Sequence, residues 1–400
     1  MDSLPVSQVV GGFICLYLSC SLASSAGLGG GGVNVPVLLV ILQYDYKEAT
    51  VLSLCAVLGN HFSQTTINWS KSNPQLATRA LIYWDLVMIF LPAQLAGSTL
   101  STTFSTSFPE TPLLILGMIV VSFAIYKSIE KGRSLYASEN LEIKNRTIDV
   151  QEDVDENLPS SAMSDNNNEP LLIKHNNNYS HIEEKPKIQL DMYVFLWIAT
   201  AWMYYAGLYL VLQFGVTSCS ALYYAILGGS FLPLVGFLYL CVRYLTNKQA
   251  RGDAVLEGDL VFSESHAHFL LPVAALAIGF VSVLLGLGSA ELTAPYFLSL
   301  GVPPIVSSAS TSVISLLYSS SSLLHYAVLG RIEIKAAAIM FVVGLAGGAT
   351  GRTFALYVLS RYKRASFICF ILTFILSIGL GLLIDDIVVN ERDWTFHSLC

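Results

Sequence analysis

Ten separate stretches of this chain are apolar over about the 20 residues that an α-helix needs to cross the hydrocarbon core of a bilayer. They fall at 6–26, 49–67, 80–101, 112–129, 191–213, 220–245, 268–287, 305–329, 333–359 and 365–387. Backbone amides in lipid must be paired within their own segment, so these stretches are expected to be helices. The expected fold class is an all-α polytopic membrane protein with about ten transmembrane helices. Composition agrees: 54% of residues are apolar and only 12% charged, against roughly a quarter charged in soluble domains. That balance excludes a basic nucleic-acid binder, a disordered chain, a coiled coil, a small disulfide scaffold and most soluble enzymes. Two further apolar pieces, 33–43 and 292–301, follow glycine or small-residue breaks. They are too short to span as regular helices and read as half-helices or re-entrant segments.

The breaks belong to an internal repeat. Residues 27–36 read GLGGGGVNVP and residues 286–295 read GLGSAELTAP. Gly27, Leu28, Gly29 and Pro36 recur as Gly286, Leu287, Gly288 and Pro295, at a constant offset of 259. In each copy an apolar helix precedes the break, and a short apolar piece, a turn and a Ser/Thr-rich helix follow. The repeated halves are 1–129 and 267–400. Two additional helices, 191–245, lie between them, with a polar linker at 246–266. Residues 6–26 resemble a signal-peptide core, but no Lys or Arg precedes them. The echo at 268–287 makes them a retained first helix.

Residues 130–190 are hydrophilic, acidic and Asn-rich, and read as a disordered loop because they offer too little apolar surface to offset ordering entropy. The loop carries 12 of the 28 acids behind the net charge of -7. It also holds the sequons at Asn145 and Asn178. The seven cysteines, Cys15, Cys20, Cys55, Cys219, Cys241, Cys369 and Cys400, form no C-x-x-C pair and read as buried free thiols.

Interrupted helices at matching positions of two halves point to a transport site. Glycine lets the backbone leave helical geometry and approach a ligand. A half-helix N-terminus offers free N–H groups and about half a positive charge, which suits an anion. Gly29, Gly30, Gly31 and Gly32 lead into the half-helix that holds Pro36, and Gly286, Gly288 and Ser289 lead into the one that holds Pro295. The plain alternative is that these glycines serve only close helix packing. Asn34 and Thr293 sit at equivalent places just after the breaks, and Glu291 has Gly32 as its counterpart. An intramembrane carboxylate is functional by default. Glu291 has two readings: carrier of a coupling proton, or cap of the following half-helix. The helices after the half-helices are rich in hydroxyls and amides, including Asn60 in the first copy and Ser319, Ser320 and Ser321 in the second. His61 and His325 are proton-relay candidates, though not at equivalent offsets. Arg352 either contacts the anion or snorkels to the interface.

These residues resemble the TauE/SafE family of sulfite exporters. The resemblance is carried by GLGGGGVNVPVLLVILQYDYKEATVLSLCAVLGN at 27–60, RALIYWDLVMIFLPAQLAGS at 79–98, GLGSAELTAPYFLSLGVPPIVSSASTS at 286–312 and YSSSSLLHYAVLGRIEI at 318–334. The long loop and two added spans resemble the eukaryotic branch. The resemblance implies duplicated halves and secondary, proton-coupled transport of small sulfur-containing anions such as sulfite, sulfonates or sulfoacetate. Its motif residues map onto Gly29–Gly32, Pro36, Asn60, Gly286, Gly288, Pro295 and Ser319–Ser322. Ser289-Ala290-Glu291 departs from it, placing a carboxylate where the first half has glycines.

No nucleotide-binding glycine loop with Lys, H-E-x-x-H or metal-ligand cluster is visible, so no enzyme activity, metal or cofactor is expected. The expected partners are a small anionic substrate and the bilayer, not nucleic acid. An anion-selective channel, or a scaffold or receptor acting through the acidic loop, would share this composition. If the short pieces do not cross the membrane, Lys71, Arg79, Lys127 and Arg251 share a side with the 130–190 loop, and the positive-inside rule makes it cytosolic. If they cross, the halves become inverted repeats, with the basic clusters still mostly on one side.

Overall fold

A computed structural model describes residues 5–73, 76, 78–104, 109–156, 192–217, 220–251, 260, 269–330, 332–362 and 366–389. The first half comprises α1 (Val6–Ser25), α2 (Gly31–Val40), α3 (Tyr46–Trp69), α4 (Trp84–Phe104) and α5 (Glu110–Glu156). Between the halves lie α6 (Met192–Leu210), α7 (Ala221–Gly229) and α8 (Phe231–Ala250). The second half comprises α9 (Leu271–Leu284), α10 (Ala290–Ser299), α11 (Pro304–Val328), α12 (Ile334–Tyr362) and α13 (Ser366–Val389). The chain is an all-α polytopic membrane protein. Six helices of the described residues meet both length and apolarity for a span. The inner helices α3, α4 and α11 are as long, at 24, 21 and 25 residues, but line their buried faces with hydroxyls and amides.

The two breaks are built alike. The α1 helix ends where Gly27 turns left-handed (φ +83°), and α9 ends where Gly286 does the same (φ +67°). The Leu28 N–H then reaches back to the Ala23 carbonyl at 2.9 Å, and the Leu287 N–H to the Ser282 carbonyl at 2.9 Å. These are equivalent 6→1 bonds of a Schellman cap, which satisfies terminal carbonyls that would otherwise be orphaned in lipid. The half-helices α2 and α10 start two residues earlier than the apolar runs alone indicate.

The halves interlock. The α12 helix packs on α1 and α3 of the other half, and its counterpart α4 packs on α9 and α11. Small residues permit this approach, since packing rather than hydrophobic exclusion drives helix association in lipid. A Cβ at Gly344 would fall on the Ala56 carbonyl, and one at Gly351 on the Ser21 carbonyl. On the equivalent contact, Gly97 faces the Leu276 carbonyl and Gly279 the Gln94 carbonyl. The α6 and α8 helices cover the outer side of α4. Large apolar side chains face outward. On α1, Val10, Ile14, Leu18 and Leu22 recur every fourth residue and are 41–54% exposed, as a lipid face requires.

The fourth span continues beyond residue 129 as helix to Glu156, so 130–156 is not the loop that its polarity indicates. The reason is packing on α13. Tyr136 meets the Phe370 ring, and Gly132 lies against Cys369. The Glu139 carboxylate accepts the Ser366 N–H at 2.9 Å and the Ser366 hydroxyl at 2.5 Å, capping the α13 N-terminus. Asn145 lies on α5; the rest of the expected loop, with Asn178, lies outside the described residues, as does most of the 246–266 linker. Cys20, Cys55, Cys241 and Cys369 are buried free thiols and Cys15 is an exposed one, while Cys219 and Cys400 fall outside the described residues.

Candidate anion site at the paired helix breaks

The fold brings the two glycine breaks into contact at the centre of the bundle. A Cβ on Gly31 would stand 2.7 Å from the Gly288 amide nitrogen and 3.0 Å from the Leu287 Cα. The Gly32 N–H donates to Glu291 Oε1 at 2.7 Å, and the Gly31 amide lies beside the same carboxylate. Gly32 and Glu291 occupy the same place in the two copies, 259 residues apart. Equivalent residues can touch only where the local two-fold axis runs, so this hydrogen bond marks that axis. Val57 packs against both Gly29 and Gly288 there. Residues 27–36 and 286–291 are all buried, so the breaks are occluded.

Glu291 therefore does not cap its own half-helix. It sits in the first turn of α10 and its carboxylate caps α2, the half-helix of the other copy. Free N–H groups at a helix start favour such a carboxylate. Pro36 adds to the local polarity. It has no N–H to return to the Gly32 carbonyl, which instead faces Gly379 of α13. Pro295 lies inside α10 in the same way. The α10 N-terminus is held differently, by the Ser315 hydroxyl accepting from the Ala290 N–H at 3.4 Å.

One face of α3 serves both breaks. The Ser53 hydroxyl donates to the Gly286 carbonyl at 3.1 Å. Asn60 Nδ2 donates to the Cys20 carbonyl at 2.8 Å, and Gln64 Nε2 to the Leu28 carbonyl at 2.7 Å. The Asn60 contact has an echo in the second half, where the Tyr318 hydroxyl donates to the Gly279 carbonyl at 2.8 Å. Cys20 and Gly279 are repeat-equivalent, but the donor is one residue out of register, and residue spacing alone does not single out Tyr318. His61 lies against Gly29, with both ring nitrogens buried and unpartnered.

Other expected site residues lie further off or turn away. Asn34 accepts from the Ser19 hydroxyl at 3.0 Å, and Thr293 accepts from Gln94 at 2.8 Å while donating to the Ser289 carbonyl. Ser319, Ser320 and Ser321 lie beyond Ser315 on α11; Ser320 accepts from Trp202 of α6 at 3.0 Å. His325 is stacked on Tyr209 and meets Thr102 at 3.2 Å, about 15 Å along α11 from Ser315 by helical rise. Ser319–Ser321 and His325 are not part of the paired breaks in this conformation, whereas Asn34 and Thr293 lie in the first turns of the two half-helices.

Arg352 does not snorkel. It is 1% exposed, because Gly347, Gly348 and Gly351 draw α12 against α1 and α3. Its Nε donates to Asn68 Oδ1 at 2.9 Å and its Nη1 to the Ser308 hydroxyl at 2.6 Å. Ser308 in turn is the residue against which Gly27 packs. Among the described residues no carboxylate forms an ion pair with Arg352. An uncompensated buried charge generally costs about 3–5 kcal/mol.

The two ends of α3 differ in charge. At its start, a cleft of about 330 Å³ is lined by Tyr44, Glu48, Gly330 and Glu333. Burial, then the charges of Glu333 and Glu48, push the Tyr44 hydroxyl above its ordinary range. Beyond its end, burial and then the nearby Arg352 charge push the Lys71 ammonium below its ordinary range.

Paired broken helices, sealed at the centre of two interlocked repeats, define a multi-pass integral membrane protein of the transporter class. The chain belongs to the sulfite exporter TauE/SafE family, which matches it over residues 12–160 and 176–378. Among similar proteins are three from Arabidopsis thaliana. Sulfite exporter TauE/SafE family protein 1 is 26% identical over 92% of this chain and 81% of its own length. Family protein 2 is 25% identical over 95% and 83%, and family protein 3 is 28% identical over 94% and 78%. No solved structure matches the chain.

Proposed function

We propose that this protein is a secondary transporter of small sulfur-containing anions, of the sulfite, sulfonate or sulfoacetate type. It works by alternating access, with Glu291 carrying the coupling proton. The observation that carries this reading is the Glu291 carboxylate on the Gly32 amide at 2.7 Å. A carboxylate and a sulfur oxyanion ask for the same thing: N–H donors at a helix start. The ionised Glu291 holds the place of the substrate. Protonation removes that charge, frees the Gly31 and Gly32 amides, and admits an external anion. Proton and anion then occupy the centre together, which couples their movement. The printed names of the relatives support sulfite as a member of the substrate class.

The test is flux into proteoliposomes of the whole chain with sulfite, sulfate, thiosulfate, sulfoacetate and acetate, with and without a pH gradient. The expected result is saturable, counterflow-competent uptake of the sulfur anions, rising as the external side is acidified. Glu291→Gln should keep exchange and lose its dependence on the gradient. Non-saturating conductance would replace the carrier by a channel. Flux of Glu291→Gln that still follows the gradient would remove Glu291 from the coupling.

A further inference from the structure

We infer that Arg352, Asn68 and Ser308 form a second anion subsite, beside the first break, that takes a small oxyanion with at least two free oxygens. The inference rests on the transport reading above and adds a loading position to it.

The geometry is that of an incomplete binding fork. Arg352 uses Nε on Asn68 and Nη1 on Ser308. Its Nη2 is buried and has no partner, and neither has Asn68 Nδ2. The Arg352 bond fixes the Asn68 amide with its oxygen toward the guanidinium, so the free end is the NH₂. The fork and its amide thus leave two buried donors unpartnered beside a full positive charge. A planar guanidinium matches two oxygens of one oxyanion better than a single acceptor does.

Placement gives the subsite its role. Ser308 touches both the guanidinium and Gly27, so an anion on Arg352 lies one side chain from the first break. On α3, Asn68 follows Gln64 by one turn, and Gln64 holds the Leu28 carbonyl of that break. Lys71 lies within electrostatic reach on the chain that follows α3. The α4 helix, counterpart of α12, has no Lys or Arg. The subsite therefore serves only one of the two breaks that the repeat creates.

The test places a tethered anion in the fork. Asn68→Asp should raise the thermal stability of the detergent-purified full-length protein by pairing Arg352, and weaken binding of radiolabelled sulfite at least tenfold. Arg352→Lys, which keeps charge but loses the fork, should weaken it several-fold. In the unaltered protein, sulfite should raise the melting temperature more than acetate at equal ionic strength, and Asn68→Asp should abolish that rise. A stabilised Asn68→Asp with sulfite binding and flux unchanged would overturn the subsite and leave the transport reading standing. Failure of Asn68→Asp to fold would also overturn it, since a compensating charge should not disrupt this site. If sulfate or phosphate binds with the same Asn68 sensitivity while no sulfur anion is transported, the subsite stands and the proposed substrate falls.

Discussion

The axis contact predicts different outcomes for two neighbouring glycines. Neither Gly31 nor Gly32 has a left-handed φ, so alanine at either meets only its surroundings. At Gly31 the new methyl would meet the Gly288 nitrogen at 2.7 Å, the Leu287 Cα at 3.0 Å and the Gly286 oxygen at 3.2 Å, all backbone of the other break. None can yield without moving the Schellman cap at Gly286. Overpacking of this kind costs about 1–3 kcal/mol, and fixed backbone on three sides puts it at the upper end. The gain in helix propensity returns about 1 kcal/mol, leaving a net loss of about 2 kcal/mol. At Gly32 the nearest atom is Glu291 Oε2 at 2.8 Å, the free end of a side chain that can swing aside. That movement loses a charge-assisted bond of about 1.5–3 kcal/mol against the same propensity gain. Gly31→Ala should therefore lower the melting temperature clearly. Gly32→Ala should lower it less, and weaken the pH dependence of flux as the carboxylate is displaced. Differential scanning fluorimetry in detergent and proteoliposome flux read the two effects. A Gly32→Ala protein less stable than Gly31→Ala, with the pH dependence of flux intact, would refute the argument.

Two further predictions concern the frame around the site. Glu139→Ala removes the cap on α13 and should cost about 1 kcal/mol, seen as faster hydrogen exchange over 130–156 and 366–370 with little change in flux. Trp202→Phe loses the half-buried N–H that Ser320 and the Leu317 carbonyl share; it should cost about 1 kcal/mol and leave sulfite uptake within twofold of the unaltered protein, as uptake assays would show.

Periodic apolar length made the helices legible, because lipid forces every backbone amide into one. Each of the ten apolar stretches contains or overlaps a helix, with 220–245 divided into α7 and α8 at Ser230. The repeat was legible because Gly27 and Gly286 must adopt a conformation that other residues avoid. The extension of α5 was not legible: Glu139 looks like loop composition until the α13 N-terminus is set beside it. Arg352 had two readings, contact with the anion or a route to water. What closes that route is the spacing of Gly347, Gly348 and Gly351 against helices some 300 residues earlier, and a single sequence does not disclose such a contact. His325 was a candidate by residue type and the Ser319–Ser321 run by residue type and resemblance, and neither says which way α11 turns them. Cross-repeat pairing of Gly32 with Glu291 was hidden for a related reason. The offset identifies equivalent positions, but only the fold shows that they lie on the axis.

Backbone symmetry and chemical asymmetry do different work in this bundle. Duplicated caps at Gly27 and Gly286, and the exchange of α4 and α12 between halves, make two breaks that the scaffold treats alike. A carrier with identical chemistry at both would have no preferred coupling. Here the second copy supplies the carboxylate and the first supplies the amides that hold it, so the contact between the breaks is chemically asymmetric although the backbone is not. Arg352 and Lys71 lie toward one end of α3, and Glu48 and Glu333 line the cleft at the other. The Lys71 end offers an anion buried positive charge, whereas at the Glu48 end the carboxylates and the neighbouring Lys47 and Lys335 oppose one another.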